Sequence, residues 1–115
     1  MRVVVVDDDV NIRHLLSVAL PLNGIEVVGH APDGRSAMAV VARAEPDGVV
    51  LDMQMPGWNG LETLRHIRRA FPETRVVLYT SEPEEVASAA ARLGAEAVVG
   101  KDQVRTGLVE ALLSA

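Results

Sequence analysis

Four short apolar runs in this chain of 115 residues each end directly at a charged or hydroxyl-bearing residue. The runs and their endings are Val3–Val6 before Asp7, Val49–Leu51 before Asp52, Val76–Tyr79 before Thr80, and Ala97–Gly100 before Lys101. Continuous apolar runs of this length are typical of parallel strands that are buried on both faces. Because ligands bind outside the carboxyl ends of the strands in an open α/β sheet, we expect the four endings to converge on one pocket.

The segments between these runs have the apolar spacing of amphipathic helices, so strands and helices alternate along the whole chain. This alternation predicts an α/β fold, a doubly wound five-stranded parallel sheet with helices on both faces, in one domain spanning 1–115. The predicted strands cover about 2–6, 25–29, 48–51, 75–79 and 96–99. The second strand is the most mixed in composition, and we expect it at an edge of the sheet.

The helix boundaries follow from capping and breaking residues. In the first helix we expect an inward stripe, Pro21 in the last turn and Gly24 as the C-cap. Asp33 is predicted to cap the second helix, and the fourth is predicted to open at Ser81 or Glu82. The predicted inward residues of the first helix are Ile12, Leu15, Leu16, Ala19 and Leu20, and those of the last are Val104, Leu108, Ala111 and Leu112.

Composition excludes several classes of protein. Cysteine is absent, which excludes a disulfide scaffold and thiolate chemistry and fits a reducing cytoplasm. The net charge of −5 is a poor match for direct binding of nucleic acid. We expect neither a membrane span nor a signal peptide, because the apolar runs are short and the first meets three aspartates. The predicted location is cytoplasmic.

The endings of the strands suggest the chemistry of the pocket. Two carboxylates about 4 Å apart repel by roughly 4 kcal/mol at an effective dielectric constant near 20, so clustering Asp7, Asp8 and Asp52 requires a cation. Mg²⁺ binds carboxylates together with phosphate oxygens, and Lys101 and Thr80 are suited to contact a phosphoryl group. A carboxylate can itself be the nucleophile and form an aspartyl phosphate. By contrast, Asp9 and Asp33 are better explained as solvated turn or capping residues.

Four motifs together resemble the receiver domain of two-component response regulators over essentially the whole chain. They are Val5-Val6-Asp7-Asp8, Leu51-Asp52-Met53-Gln54-Met55-Pro56-Gly57, Tyr79-Thr80-Ser81 and Gly100-Lys101. The resemblance implies a flavodoxin-like strand order of 2-1-3-4-5. It implies that Asp52 accepts a phosphoryl group from a phosphohistidine of a sensor histidine kinase. The domain would then act as a switch that catalyses its own phosphorylation and dephosphorylation.

The resemblance also implies roles for the residues around Asp52. Mg²⁺ would be held by Asp8, Asp52 and the backbone carbonyl of Gln54, with help from Asp7. Thr80 and Lys101 would bind the phosphoryl oxygens. The fourth helix, fifth strand and fifth helix would form the signalling face, and we expect phosphorylation to promote a homodimer through one face of the domain.

Two positions depart from the usual receiver pattern. Receivers often have a proline after the lysine, joined by a cis bond, whereas Asp102 stands here. A cis bond before a non-proline residue costs about 3 kcal/mol, so we expect a trans bond. Lysine followed by aspartate resembles the NarL-type subfamily, which implies a C-terminal DNA-binding effector missing from this chain. Many receivers have an aromatic residue where Val98 stands, and the usual coupling of Thr80 to that ring is not expected.

Several other residues of types that can form sites are better explained by structure. His14, His30 and His66 lack the spacing of metal ligands and are predicted to be surface or structural residues. Arg65, Arg68 and Arg69 are predicted to form a solvated face of the third helix. Trp58 is predicted either to pack over its loop or to contact a partner, and the sequence leaves both open. Met53 and Met55 are predicted to pack.

Two other functions remain open at this point. In a haloacid-dehalogenase-type phosphohydrolase, Asp7 would attack and Asp9 would act as the acid. Val10-Asn11 stands where that family usually has a threonine, and the chain lacks its late acidic pair and its cap domain. The second alternative is a pseudo-receiver, an interaction module that is never phosphorylated. A dinucleotide site is rejected, because no glycine-rich turn follows the first strand.

Overall fold

The computed structural model describes residues 1–102 and 104–114, without the side chains of residues 104–106. Five parallel strands form one sheet in the order β2-β1-β3-β4-β5, as predicted. The strands are β1 Arg2–Val6, β2 Glu26–Ala31, β3 Gly48–Asp52, β4 Arg75–Thr80 and β5 Ala97–Gly100. The predicted strand β2 lies at an edge, and its side chains are less buried than those of β1 and β3.

The helices alternate with the strands. They are α1 Val10–Ala19, α2 Gly34–Ala44, α3 Gly60–Ala70, α4 Pro83–Arg92 and α5 Glu110–Leu113, the last preceded by a π-helical segment, Val104–Val109. A short 3₁₀ helix, Pro21–Asn23, follows α1. Among the described residues, no helix is long and apolar enough to cross a membrane.

The apolar side chains form two cores, one on each face of the sheet. On one face, alternate residues of the strands pack against α1 and the last helix, with Leu16, Leu20, Leu108 and Leu112 at the centre. On the other face, the intervening strand residues pack against α2, α3 and α4 through Val41, Leu64, Ile67 and Ala90. Because successive side chains of a strand point to opposite faces, continuous apolar strands supply both cores. This confirms the doubly wound architecture.

Local hydrogen bonds explain where the helices begin. The carboxylate of Asp9 accepts a hydrogen bond from the Asn11 amide at 2.8 Å, and that of Asp33 accepts one from the Ser36 amide at 2.8 Å. Both residues therefore act as N-caps, as expected. The start of α3 is fixed by a reciprocal pair, in which the Asn59 side chain accepts from the Glu62 amide and the Glu62 side chain accepts from the Asn59 amide.

Two predictions for α1 are wrong. Pro21 is not in its last turn, because the helix ends at Ala19 and Pro21 opens the separate 3₁₀ helix. Proline has no amide hydrogen for the α-helical ladder, so the chain changes to a tighter turn there and ends it at Gly24, with φ of 78°. Leu15, predicted to point inward, is 47% exposed.

The last helix also differs from the prediction of a regular helix. Its first part is π-helical over Val104–Val109, and only Glu110–Leu113 is α-helical. Gly107 lies in this segment, and glycine is a weak helix former. Leu108 and Leu112 are buried and Ala111 is partly buried, as expected. The predicted inward side chain of Val104 lies outside the described residues.

Candidate functional site

Strand register brings the predicted site residues to one edge of the sheet. Val6 of β1 pairs with Leu51 of β3, so Asp7 and Asp52 follow at the same level. Asp52 in turn pairs with Tyr79 of β4. At the next level Thr80 pairs with Gly100, and Lys101 follows. The carboxyl ends of four strands therefore meet, as the sequence predicts.

Lys101 joins two of the carboxylates. Its Nζ lies 2.9 Å from Asp7 Oδ2 and 3.0 Å from Asp52 Oδ1. Both carboxylate side chains are almost completely buried, whereas the lysine side chain is 24% exposed. Burial alone would lower the pKa of Lys101, but its hydrogen bonds and ion pairs with the two carboxylates raise it instead. The ammonium group therefore stays charged and offsets the repulsion between Asp7 and Asp52.

Asp8 completes an acidic cluster with Asp7 and Asp52. One carboxylate oxygen from each of the three residues lies within 4.8 Å of the others. Asp8 is exposed, so the cluster is open to solvent on that side. One oxygen of Asp7 accepts a hydrogen bond from the Asp9 amide at 2.9 Å. Apart from the ion pair with Lys101, the buried oxygen Oδ2 of Asp7 has no hydrogen-bond partner among the described residues.

Burial changes the acidity of Asp52. Desolvation raises the pKa of its carboxyl to about 6, the Lys101 ammonium opposes this change, and the negative charge of Asp7 adds to it. The carboxylate form of Asp52 is therefore costly when no other cation is near. A divalent cation bound to the cluster would relieve this cost.

Thr80 and Gln54 lie at the ends of the strands that flank this cluster. Thr80 is the last residue of β4 and is buried, and its hydroxyl oxygen accepts a hydrogen bond from the Glu82 amide at 3.3 Å. Gln54 is exposed, and its amide lies 3.4 Å from Asp52 Oδ1, a long hydrogen bond. Both positions therefore belong to the same edge of the sheet as the acidic cluster.

The loop after Asp52 is held against the sheet by a close backbone approach. The Gly60 amide donates to the Met53 carbonyl at 2.9 Å. A Cβ atom at Gly60 would lie 2.6 Å from the Asp52 carbonyl oxygen and 2.7 Å from Met53 Cα, both shorter than any normal contact. Only glycine fits here, and its fit places the first turn of α3 directly on the backbone of Asp52.

Trp58 packs within the domain, as one of its two predictions states, and it is partly buried. Its ring stacks on that of His66, with centroids 3.8 Å apart and planes inclined by 4°. The guanidinium of Arg35 lies on Trp58 at 4.7 Å from the ring centroid. The stack joins α2, the loop and α3, and it gives His66 a structural role, as predicted.

The arginines of α3 and the two methionines near Asp52 have structural roles or are exposed. Arg68 does not belong to a free basic face, because its guanidinium donates to the carbonyls of Thr74, at 2.5 Å, and Pro72. Arg65 and Arg69 are exposed, as predicted for a solvated face. Met53 is buried, and Met55 packs against the core that α2, α3 and α4 cover.

The bond between Lys101 and Asp102 is trans, as expected, since no described peptide bond is cis. Val98 is partly buried and packs against the core on the α4 side. It therefore provides no ring that could move toward Thr80.

Tyr79 is the contributor to the site that sequence reasoning missed. Its hydroxyl donates a hydrogen bond of 2.9 Å to the backbone carbonyl of Lys101, 22 residues away. Lys101 Nζ also lies 5.9 Å from the centroid of the Tyr79 ring. Tyr79 reads in the sequence as one more apolar strand residue, and no local pattern signals a contact between neighbouring strands.

Comparison with known proteins shows which family the chain is similar to. The sequence model of the response regulator receiver domain family matches residues 3–113 of this chain. A protein-glutamate methylesterase/protein-glutamine glutaminase of Caulobacter vibrioides is 41% identical over 97% of this chain and 33% of its own length. The probable transcriptional regulatory protein NarL of Mycobacterium tuberculosis is 36% identical over 98% of this chain and 53% of its own length.

A solved structure agrees in fold. The response regulator protein TrrA of Thermotoga maritima, solved in complex with Mg²⁺ and beryllofluoride, superposes with a TM-score of 0.78 and 33% identity, covering 87% of this chain and 85% of that one. The chain spans only a third to about half of the length of the two curated relatives. With its sheet order, its acidic cluster and a family match over nearly all of its length, the chain belongs to the response regulator receiver domain family.

Proposed function

We propose that this domain is a Mg²⁺-dependent phosphoacceptor in which Asp52 takes a phosphoryl group from a phosphohistidine of a sensor histidine kinase. The observation that carries the proposal is the position of Lys101 Nζ, 2.9 Å from Asp7 and 3.0 Å from Asp52. The Lys101 ammonium contacts a buried carboxylate there, and Thr80, which bears a hydroxyl, ends the neighbouring strand β4. A cation and a hydrogen-bond donor beside a carboxylate suit the stabilisation of a transferring phosphoryl group.

The residues of the acidic cluster fit a magnesium ion. Mg²⁺ prefers oxygen ligands and is usually held by one or two carboxylates, water and phosphate oxygens. Asp8 and Asp52, with the backbone carbonyl of Gln54, would hold the ion, and Asp7 would assist. The ion supplies charge neutralisation for the phosphoryl oxygens and for the carboxylates.

In the proposed reaction, a carboxylate oxygen of Asp52 attacks the phosphorus of the phosphohistidine. The new P–O bond forms as the P–N bond breaks, and the electron pair of that bond leaves with the imidazole nitrogen, which takes up a proton. Lys101 then exchanges its contact with Asp52 for one with a phosphoryl oxygen, and the Thr80 hydroxyl donates to another. Hydrolysis reverses the switch, because water attack on phosphorus returns the Asp52 carboxylate and releases inorganic phosphate.

The output of the whole protein is a further proposal. We propose a transcriptional effector of the NarL type, supported by the Lys101-Asp102 pair and by the likeness to a probable transcriptional regulator. The methylesterase relatives support the other kind of effector. Footprinting of the full-length protein on DNA with and without phosphorylation tests the first, and release of methyl groups from a protein that is methylated on glutamate tests the second.

One mass spectrum tests the phosphoacceptor function. After incubation with Mg²⁺ and acetyl phosphate, the protein should gain the mass of one phosphoryl group, with the adduct at Asp52. Asp52→Asn should gain none, whereas Asp9→Asn, at an exposed neighbouring position, should label normally. An adduct at Asp7 would support the phosphohydrolase alternative, and a wild-type protein that never labels with either acetyl phosphate or a kinase would support the pseudo-receiver.

A further inference from the structure

Two consecutive residues of β4 hold the backbone of Lys101. The Lys101 amide donates to the Thr80 carbonyl at 2.9 Å, and the Lys101 carbonyl accepts from the Tyr79 hydroxyl at 2.9 Å. The first bond continues the pairing of β4 with β5 beyond Gly100. The second comes from a side chain, at the point where the strand has ended. Lys101 is thus fixed at both its donor and its acceptor.

The Tyr79 side chain is suited to this role by its burial. It is 1% exposed and lies in the same core as Val99, on the face of the sheet covered by α1 and the last helix. A buried hydroxyl without a partner costs free energy, so the core position favours the bond to the Lys101 carbonyl. Burial also raises the pKa of Tyr79, which keeps the phenol protonated as a donor.

The anchored backbone limits where the ammonium group can go. A lysine side chain has four flexible methylene groups, so a fixed backbone sets the region that Nζ can reach, and its ion pairs select the position within that region. In this structure Nζ reaches two carboxylates at once, one directly after β1 and one at the end of β3. Small displacements of groups around a reacting centre reduce rates strongly.

We propose that Tyr79 is a positioning residue, which fixes the backbone of Lys101 through its hydroxyl so that Nζ lies between Asp7 and Asp52. The role of Lys101 in phosphoryl transfer rests on the proposed function, whereas its position in the metal-free protein does not. The position of Lys101 and its role in phosphoryl transfer are therefore tested separately.

The decisive variant is Tyr79→Phe, which keeps the ring and removes the hydroxyl. In the metal-free protein, the NMR signals of the Lys101 ε-methylene group should move toward those of an unpaired lysine. With Mg²⁺ and acetyl phosphate, the labelling rate should fall about five-fold, the factor that corresponds to ~1 kcal/mol for one hydrogen bond. In a Lys101→Ala background, Tyr79→Phe should have no further effect on the rate, because Tyr79 acts through Lys101.

Thr63→Val is the matched control. The Thr63 hydroxyl is buried and donates to the Asn59 carbonyl at 2.9 Å, and this residue lies on α3, which covers the other face of the sheet. Its loss should lower stability without moving the Lys101 signals. If Tyr79→Phe leaves both the signals and the rate as in wild type, or if Thr63→Val changes them equally, Tyr79 is not a positioning residue.

A second measurement does not depend on the folding of that variant. Tyr79 is the only tyrosine of the chain, so 3-fluorotyrosine labels this position alone. Because the Tyr79 hydroxyl contacts the backbone carbonyl of Lys101, Lys101→Ala should leave this hydrogen bond in place. The ¹⁹F signal should therefore resist titration to a higher pH than free 3-fluorotyrosine does, in wild type and in Lys101→Ala alike. A wild-type signal that titrates like free 3-fluorotyrosine would overturn the inference. Wild-type protein that binds no beryllofluoride would instead refute the proposed function.

Discussion

The ring of Trp58 lies flat on that of His66, and the stack covers the loop that follows Asp52. Stacked aromatic pairs contribute about 0.5–1.5 kcal/mol beyond their buried area. We expect His66→Ala to lower the free energy of unfolding by about 1 kcal/mol. Because Trp58 is the only tryptophan, its fluorescence should change in the same variant. His14→Ala, at an exposed position of α1, is the control, and equal losses in both variants would contradict a specific role for the stack.

Asp52→Asn should stabilise the metal-free protein at neutral pH. The folded protein holds a proton on Asp52 more tightly than the unfolded chain does, since the pKa is raised from 3.8 to about 6. The contribution of the protonated Asp52 carboxyl to the free energy of unfolding is therefore full below about pH 4 and is lost as the pH rises through about 6. Asparagine cannot ionise, so its advantage over aspartate should grow across this interval to about 2–3 kcal/mol at most.

Urea unfolding in EDTA at several pH values measures this difference. Glu73→Gln, at an exposed position of the loop before β4, should follow wild type throughout. A constant difference between Asp52→Asn and wild type from pH 4 to pH 7 would show that Asp52 is not perturbed by its burial.

Magnesium should raise the melting temperature of the wild-type protein. A ligand that binds only the folded state adds about 2.7 kcal/mol at a hundred times its dissociation constant. Asp8→Ala should abolish the response, because Asp8 supplies the solvent-exposed carboxylate of the acidic cluster. Asp9→Ser removes the neighbouring charge but keeps an N-cap for α1, so it should retain the response. If Asp8→Ala responds to Mg²⁺ as wild type does, the ion binds elsewhere.

Activation should change α4 and β5 and promote self-association. When the Thr80 hydroxyl turns toward a phosphoryl oxygen, it gives up its bond to the Glu82 amide, and Glu82 is the N-cap of α4. We expect amide shifts with beryllofluoride to concentrate in residues 80–93 and 97–101. Without a ring at position 98, the change should travel through the backbone of residues 80–84. Shifts confined to α2 and α3, or unchanged sedimentation, would contradict this account of the output.

The alternation of strands and helices and the convergence of Asp7, Asp52 and Lys101 could be predicted because both follow from periodic, local signals, whereas the strand order came from the resemblance to receiver domains. Apolar runs define buried strands, and parallel topology brings their carboxyl ends together. Capping by Asp9 and Asp33 is equally local, since each bond spans two or three residues.

What the sequence did not reveal depends on contacts between elements. The Tyr79 hydroxyl finds its acceptor 22 residues away, and the stack of Trp58 joins an exposed helix face to a loop. Leu15 shows the limit of periodicity, because the apolar stripe of α1 is wider than the part that the sheet covers. Apolar residues at the margin of such a stripe can point to the core or to solvent, and only tertiary packing decides between the two.

The close contact of Gly60 with the backbone of Asp52 limits which residues can occupy position 60. A library with every residue at position 60 should yield proteins that label with acetyl phosphate only with glycine, because a methyl group would lie 2.6 Å from the Asp52 carbonyl oxygen. Asn59 and Glu62, which cap the same helix from outside, can be replaced by other capping pairs. We therefore expect substitutions at the start of α3 to be tolerated in the cap and not at position 60, which contacts the backbone of Asp52.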